Sequence, residues 1–312
     1  MLITDLHMLI VKKTWTAYNH MFRIFMAFCL LVGTDVSTFG IDVGLMFMEY
    51  LAQNNLLVST FRNYISAVTT YFKWFELDYQ VLSHVKIDMM FRALERYVSK
   101  APMFKPIFQP HDIERIVDAC DIQPFSQIFK TLYIMAYFGF LRILNLVPSS
   151  LQKFSIKKQL CRGDVLLNEQ DMIVLVKWSK TLQATNQGSY IVLPSIKYGK
   201  LCPCKNFQLM STLFPVPANA PCFSTKTFCV TEYALRKHLN TTLQILGMAS
   251  KNFTFHSFRR LGATLAYNLD ISMDSIRRHG TWKSDAVNTY IVEDPQRASG
   301  VARSFQQYFN QA

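Results

Sequence analysis

Apolar positions in the first hundred residues recur every three or four places, the period of one helix face. "WTAYNHMFRIFMAFC" sets Tyr18, Phe22, Phe25 and Phe28 or Cys29 on one stripe, and "VSTFRNYISAVTTYFKWF" does the same with Phe61, Ile65, Val68 and Phe72. Between them "GIDVGLMFMEYLAQNN" predicts a helix stopped by its asparagine pair, and "VKIDMMFRALERYVSK" predicts a fourth. Ser59 or Thr60 is the expected N-cap of the helix that holds Phe61, because a hydroxyl can accept from a free N–H of the first turn. The period then stops. "SKAPMFKPIFQPHD" carries Pro102, Pro106 and Pro110 with no repeat, which reads as an extended linker with a domain boundary inside it.

Beyond the linker "QPHDIERIVDAC" opens a helix, and "FSQIFKTLYIMAYFGFLRILNLVPSS" predicts an apolar helix or helix pair, turned near Gly139 and stopped by Pro148. "QLCRGDVLLNEQDMIVLVKWSKTLQATNQGSYIVLP" changes character: β-branched runs separated by "NEQD" and "QATNQGS" predict a small antiparallel sheet. From "TEYALRKHLNTTLQILG" onward the helical period returns. The expected fold is therefore mainly α. A helical domain spans 1–103, and a mostly helical domain with a small antiparallel β-sheet spans 104–312.

A length of 312 residues suits about two domains of the usual ~150. Lys and Arg outnumber Asp and Glu by 33 to 21, a net charge of +12, which favours a polyanionic partner. No apolar run reaches the ~20 residues that span a bilayer, and "MLITDLHMLIVKK" places its apolar stretch before its basic pair, the wrong order for a secretory signal. Seven cysteines without framework spacing suit a reducing compartment. "LCPCKN", with one residue between its cysteines and no histidine nearby, reads as a turn rather than a zinc site.

A few ionisable residues stand in unexpectedly apolar settings. Arg142 lies in "YFGFLRILNL", where a buried cation is costly unless it serves an anion. Lys180, in "WSKTLQ", falls at the lip of the predicted hairpin, with Lys177 as its nearest competitor. "FTFHSFRRLG" spaces His256 and Arg259 by three, so both can reach one small anion from the same helix side, although a solvated cationic helix start gives the same pattern. "IRRHGTWKSDAVNTYIVEDP" adds His279, Trp282 and Tyr290.

The order "GFLRILNL", a hairpin lysine, "HSFR", then Gly and Trp about ten residues before "TYI" resembles the tyrosine recombinase (phage integrase) family. "GTWKSDAVNTYI" is similar to recombinases of eukaryotic mobile elements, Crypton or DIRS-like. The resemblance covers nearly the whole chain, with 1–103 as a core-binding, DNA-binding domain and 104–312 as the catalytic domain. It implies a site-specific recombinase or integrase that cleaves and rejoins strands of double-stranded DNA through a 3′-phosphotyrosyl intermediate. Arg142 and Arg259 would clamp the phosphate, Tyr290 would attack it, His256 would accept or share the phenolic proton, and Lys180 would protonate the departing 5′ oxygen. No metal and no nucleotide cofactor is implied, and no membrane partner. A homo-tetramer on DNA is expected, located in the nucleus if the source is eukaryotic and otherwise in the cytoplasm, not secreted.

Arg23, Arg62 and Lys73 are the candidate DNA-binding cations of the front domain, and Val301, Phe305 and Phe309 the apolar stripe of a tail expected to dock on a neighbouring protomer. Two departures stand out. Asn145 occupies a place where the family usually has an acid, and a strict nine-residue count back from Tyr290 falls on Thr281, with Trp282 one late and His279 two early. Trp282 is the expected occupant of that place. Rival readings are a catalytically silent DNA-binding protein on the same fold and a type IB topoisomerase-like enzyme.

Overall fold

The computed structural model describes residues 12–54, 56–97, 106–123, 125–178, 188–197 and 199–292. The chain divides into two compact units, Met1–Phe104 and Lys105–Ala312. Lys180 and the tail with Val301, Phe305 and Phe309 lie outside the described residues.

The first unit contains α1 (Lys12–Leu31), α2 (Ile41–Gln53), α3 (Val58–Trp74) and α4 (Val85–Tyr97). Their apolar stripes meet around Phe25, which is wholly buried and meets Phe39, Phe47 and Phe72 edge to face at centroid distances of 5.1, 5.1 and 5.8 Å. Such pairs add about 0.5–1.5 kcal/mol beyond the area they bury. Helix α3 starts one residue before the expected cap: Leu57 is the N-cap, with no side-chain bond, and its carbonyl accepts from Thr60 N–H at 2.8 Å. Ser59 and Thr60 thus lie inside the first turn. Packing of Phe61, Ile65, Val68 and Phe72 sets the helix register here, and the local hydroxyls do not.

The second unit opens with α5 (Pro110–Ala119), whose proline sits in the first turn, where no N–H is needed. Helix α6 (Ser126–Phe138) is buried on nearly every side and forms the middle of the core. It ends at Gly139, where an added Cβ would lie 2.9 Å from the Met135 carbonyl, and the chain re-enters a short helix, α7 (Ile143–Leu146). The sheet is antiparallel in the order β1 (Val165–Leu167), β2 (Asp171–Val176), β3 (Ser189–Pro194). Val174 faces Val165 on one side and Ile191 on the other, and Met172, Val174 and Val176 point into the core.

"CPCKN", expected as a turn, instead opens α8 (Pro203–Leu213). Pro203 supplies the fixed φ of a first helical residue, and Asn206 Nδ2 donates back to the Cys202 carbonyl at 2.9 Å. Helices α9 (Glu232–Ile245), α10 (Phe255–Asn268) and α11 (Met273–His279) follow, then a 3₁₀ turn at Asp285–Thr289. Helix α10 packs on α6 closely enough that a Cβ at Gly262 would lie 2.4 Å from the Tyr137 carbonyl.

Candidate active site

Two arginines in the second unit are buried without an acid beside them, and what their nitrogens do separates them. Arg162 donates from Nε to the Cys222 carbonyl at 3.0 Å, from Nη1 to Phe214 at 3.1 Å and from Nη2 to Ser224 at 3.3 Å. Its donors are spent on holding one loop. Arg259, only 1% exposed, donates from Nη1 to the Phe140 carbonyl and from Nη2 to that of Gly280 at 2.7 Å, while its Nε finds no partner among the described residues. Burial pulls its pKa down to about 9, helped by the Arg142 guanidinium and opposed by Tyr290. It stays cationic at neutral pH.

The Arg259 guanidinium lies over the Trp282 ring at 3.6 Å and 5.3 Å from the Tyr290 ring centroid, and the two rings meet edge on at 5.1 Å. Cation–π attraction offsets part of the cost of burying the charge. Trp282 is buried, and its Nε1 donor also has no partner among the described residues. Gly280 makes this placement possible, since a Cβ there would meet the indole at 1.7 Å. Thr281, between them, adopts φ 55°, in the left-handed region, and so turns the indole back toward Arg259. Its hydroxyl receives Arg142 Nη1 at 3.4 Å. His279 faces away, with Nε2 2.8 Å from the Phe138 carbonyl. The three residues near the strict count thus have separate partners: indole on Arg259, hydroxyl on Arg142, imidazole on backbone.

Arg142 is the N-cap of α7 and partly buried; burial lowers its pKa, with Tyr290 acting in the opposite sense. Asn145, one turn on, explains its own departure from an acid. Its Oδ1 accepts the Arg142 backbone N–H at 3.2 Å, and its Nδ2 donates to the Trp178 carbonyl. Only an amide does both; a carboxylate would set two acceptors against each other. Lys177 is occupied, pairing with Asp164 at 2.5 Å and reaching Cys161 Sγ at 3.3 Å.

His256, in the first turn of α10, is exposed, with its ring 6.4 Å from that of Tyr290. Burial of its surroundings lowers its pKa, and the charges of Arg259, Arg142, Arg236 and Arg260 lower it further, so at neutral pH it is an unprotonated acceptor. A cleft of about 470 Å³ opens on its side, lined by Pro106, Thr254, Arg260, Thr289 and Tyr290 among others. The structure therefore gathers Arg142, His256, Arg259, Trp282 and Tyr290. Two guanidinium groups, two buried donors without partners among the described residues, a neutral imidazole and a phenol thus cluster around Tyr290, with the cleft on the side of His256 and Tyr290, an arrangement fit to bind an anion and activate a hydroxyl beside it.

Arg23, Arg62 and Lys73 belong to the other unit. All three are exposed, on α1 and α3; Arg62 pairs with Glu95 at 2.8 Å over the Phe91 ring, and Lys73 lies over Tyr79 at 4.7 Å. Two contributors to the site escaped sequence reasoning. Thr264 and Arg260 fall with His256 on an i, i+4, i+8 stripe of α10, and that spacing was the available signal.

No protein-family model matches the chain, and no curated protein sequence matches it. Solved structures do. The chain is similar to the Tn1549 transposon integrase in complex with transposon right-end DNA, at 13% identity and TM-score 0.66, covering 98% of each chain. It is similar to the XerH site-specific recombinase bound to a palindromic difH substrate in a post-cleavage complex, at 14% identity and TM-score 0.64, covering 94% of this chain and 79% of that one. A lambda integrase dimer bound to a COC′ core site matches at 14% identity and TM-score 0.54, covering 93% and 75%. The fold is that of the tyrosine recombinases.

Proposed function

We propose that the chain is a DNA strand-exchange enzyme whose Tyr290 attacks a phosphodiester held by Arg142 and Arg259. The single observation that carries this reading is the pair of buried, unused donors, Arg259 Nε and Trp282 Nε1, beside the Tyr290 ring. Buried donors without partners cost about 1–3 kcal/mol each, which a phosphate oxygen reaching them would recover. The bond that forms is Tyr290 Oη to phosphorus, and the bond that breaks is phosphorus to the 5′ oxygen. The phenolic proton passes to His256, and Lys180 supplies one to the leaving oxygen; the engagement of Lys177 with Asp164 supports assigning that role to Lys180. The 5′-hydroxyl of a partner strand reverses the step, so one ester replaces another and nothing is oxidised.

The three solved structures named above are DNA complexes, and the balance of +12 favours the same partner here. Residues 1–103 serve as the core-binding domain, with Arg23, Arg62 and Lys73 toward the backbone phosphates, and 104–312 as the catalytic domain. The working form is a tetramer on DNA, and "GTWKSDAVNTYI" supports a eukaryotic mobile element as the source. The test is incubation with nicked suicide duplexes from the flanks of the encoding element. A covalent protein–DNA adduct that disappears in Tyr290→Phe, with duplex binding kept, is the expected result. Binding without any adduct from the parent chain would favour the silent DNA-binding reading, and supercoil relaxation without strand exchange the topoisomerase-like one.

A further inference from the structure

We propose that Thr264, assisted by Arg260, is a positioning residue that sets the register of the segment carrying Tyr290; this rests on Tyr290 being the nucleophile. Tyr290 is at the end of a 3₁₀ turn, and its own backbone N–H donates to the Val287 carbonyl at 2.8 Å. Arg277 of α11 holds Asp285 at the head of this turn at 3.0 Å, and the side-chain bonds to the backbone on either side of Tyr290 come from α10. Thr264 Oγ1 donates to the Tyr290 carbonyl at 3.2 Å and accepts from Val292 N–H at 3.1 Å, so one hydroxyl uses both its donor and an acceptor site across the nucleophile. Arg260 Nη2 donates to the Thr289 carbonyl at 3.2 Å. Three consecutive turns of α10 thereby present His256 to the proton, Arg260 to the residue before Tyr290, and Thr264 to Tyr290 and beyond.

The magnitudes show why this matters. A slip of one residue moves a Cα by about 3.8 Å, whereas an attacking atom must sit within about 3–3.5 Å of its target, and a misplacement of ~1 Å can cost ~10²-fold in rate. Edge-on packing against Trp282 positions the ring but tolerates sliding. A hydroxyl bonded on both sides does not. Thr264 is 6% exposed, so it acts through the Tyr290 backbone and has no surface for DNA.

The experiment compares single-turnover adduct formation by the full chain, Thr264→Val and Thr264→Ser on one suicide duplex. A second duplex carries a bridging 5′-phosphorothiolate, whose sulfur leaves without being protonated. Thr264→Val should form adduct about 10- to 100-fold more slowly on both duplexes, bind each within about twofold of the parent, and be rescued by Thr264→Ser. A parental rate in Thr264→Val overturns the proposal. So does a defect that vanishes on the phosphorothiolate, which would assign Thr264 to leaving-group protonation, or one that Ser does not rescue, which would make the residue merely structural. If Thr264→Val fails to give a cooperative thermal transition, Arg260→Gln takes its place, with a loss of about 3- to 10-fold expected on both duplexes and a parental rate overturning the proposal. No adduct from the parent chain, despite binding, is the separate failure of the Tyr290 assignment and removes this inference with it.

Discussion

The two units bury different things. In the first, the described core is aromatic and aliphatic throughout, centred on Phe25; every buried polar or charged side chain among the described residues, from Asp112 to Thr264, belongs to the second. The second unit also holds both buried arginines and the unused donors of Arg259 and Trp282. A core of interlocking rings is held almost wholly by its own packing, with the buried Tyr71 hydroxyl as its one donor lacking a partner among the described residues. A core that buries Arg259 and the Trp282 indole donor without partners among the described residues carries a desolvation cost, which on the proposed reading a bound phosphate would offset. On the proposed reading, the difference separates a unit built to be stable from one built around a ligand.

That division of labour would break most visibly in the first unit's core. Phe25→Ala should cost about 3–5 kcal/mol of stability in denaturant titrations, yet at saturating protein the folded fraction should form adduct at close to the parental rate; a lower saturated rate would show that the first unit shapes the chemistry. Next in size, Arg259→Lys keeps the charge but loses the fork that spans Phe140 and Gly280. Single-turnover cleavage should fall about 10²- to 10³-fold with the first unit's melting unchanged, and a loss under tenfold would demote the guanidinium to packing.

Acid sharpens the contrast. His238 stacks on Phe129 at 3.6 Å, with Nδ1 2.9 Å from Tyr133 Oη, and burial lowers its pKa to about 4. The folded state holds it neutral while the unfolded chain protonates near 6.5, so stability is full above that pH and falls as pH drops toward 4, by on the order of 3 kcal/mol. Chemical denaturation of the parent and His238→Gln across that window should show the slope flattening in the variant; equal slopes would reject His238 as the source. Smallest is Asn145→Asp, which places a carboxylate where the tyrosine recombinases that this chain resembles usually have an acid, but sets it against the Trp178 carbonyl. It should lose about 1–3 kcal/mol of second-unit stability, whereas a gain would show that the backbone there can turn to donate.

Much of this architecture could be read from residue order because it rests on local period. The stripes of α1 and α3, the Pro-opened α5 and the turn-punctuated sheet each follow from side-chain spacing. Helix starts set by packing could not: α3 overrides Ser59 and Thr60, and "CPCKN", expected as a turn, opens α8 with Pro203 as its first helical residue. Within the candidate site, Arg142, His256, Arg259 and Tyr290 stood out as ionisable groups in apolar company. Thr264 did not stand out: the i, i+4, i+8 stripe it shares with His256 and Arg260 could be read, but its role rests on bonds to the backbone of Tyr290 and Val292. Nor did the double use of the Asn145 amide, which needs Trp178 brought up from the sheet.

Thr281 has a consequence for how this chain would evolve. A β-branched residue at φ 55° carries a backbone cost of about 1–3 kcal/mol that Gly or Asn largely avoids. Under selection for heat resistance alone, libraries at this codon should enrich glycine and asparagine. Under selection that also demands strand cleavage, threonine should persist if its hydroxyl on Arg142 outweighs the strain. Sequencing the two pools would turn one uncomfortable dihedral angle into a measure of how much fitness its owner returns.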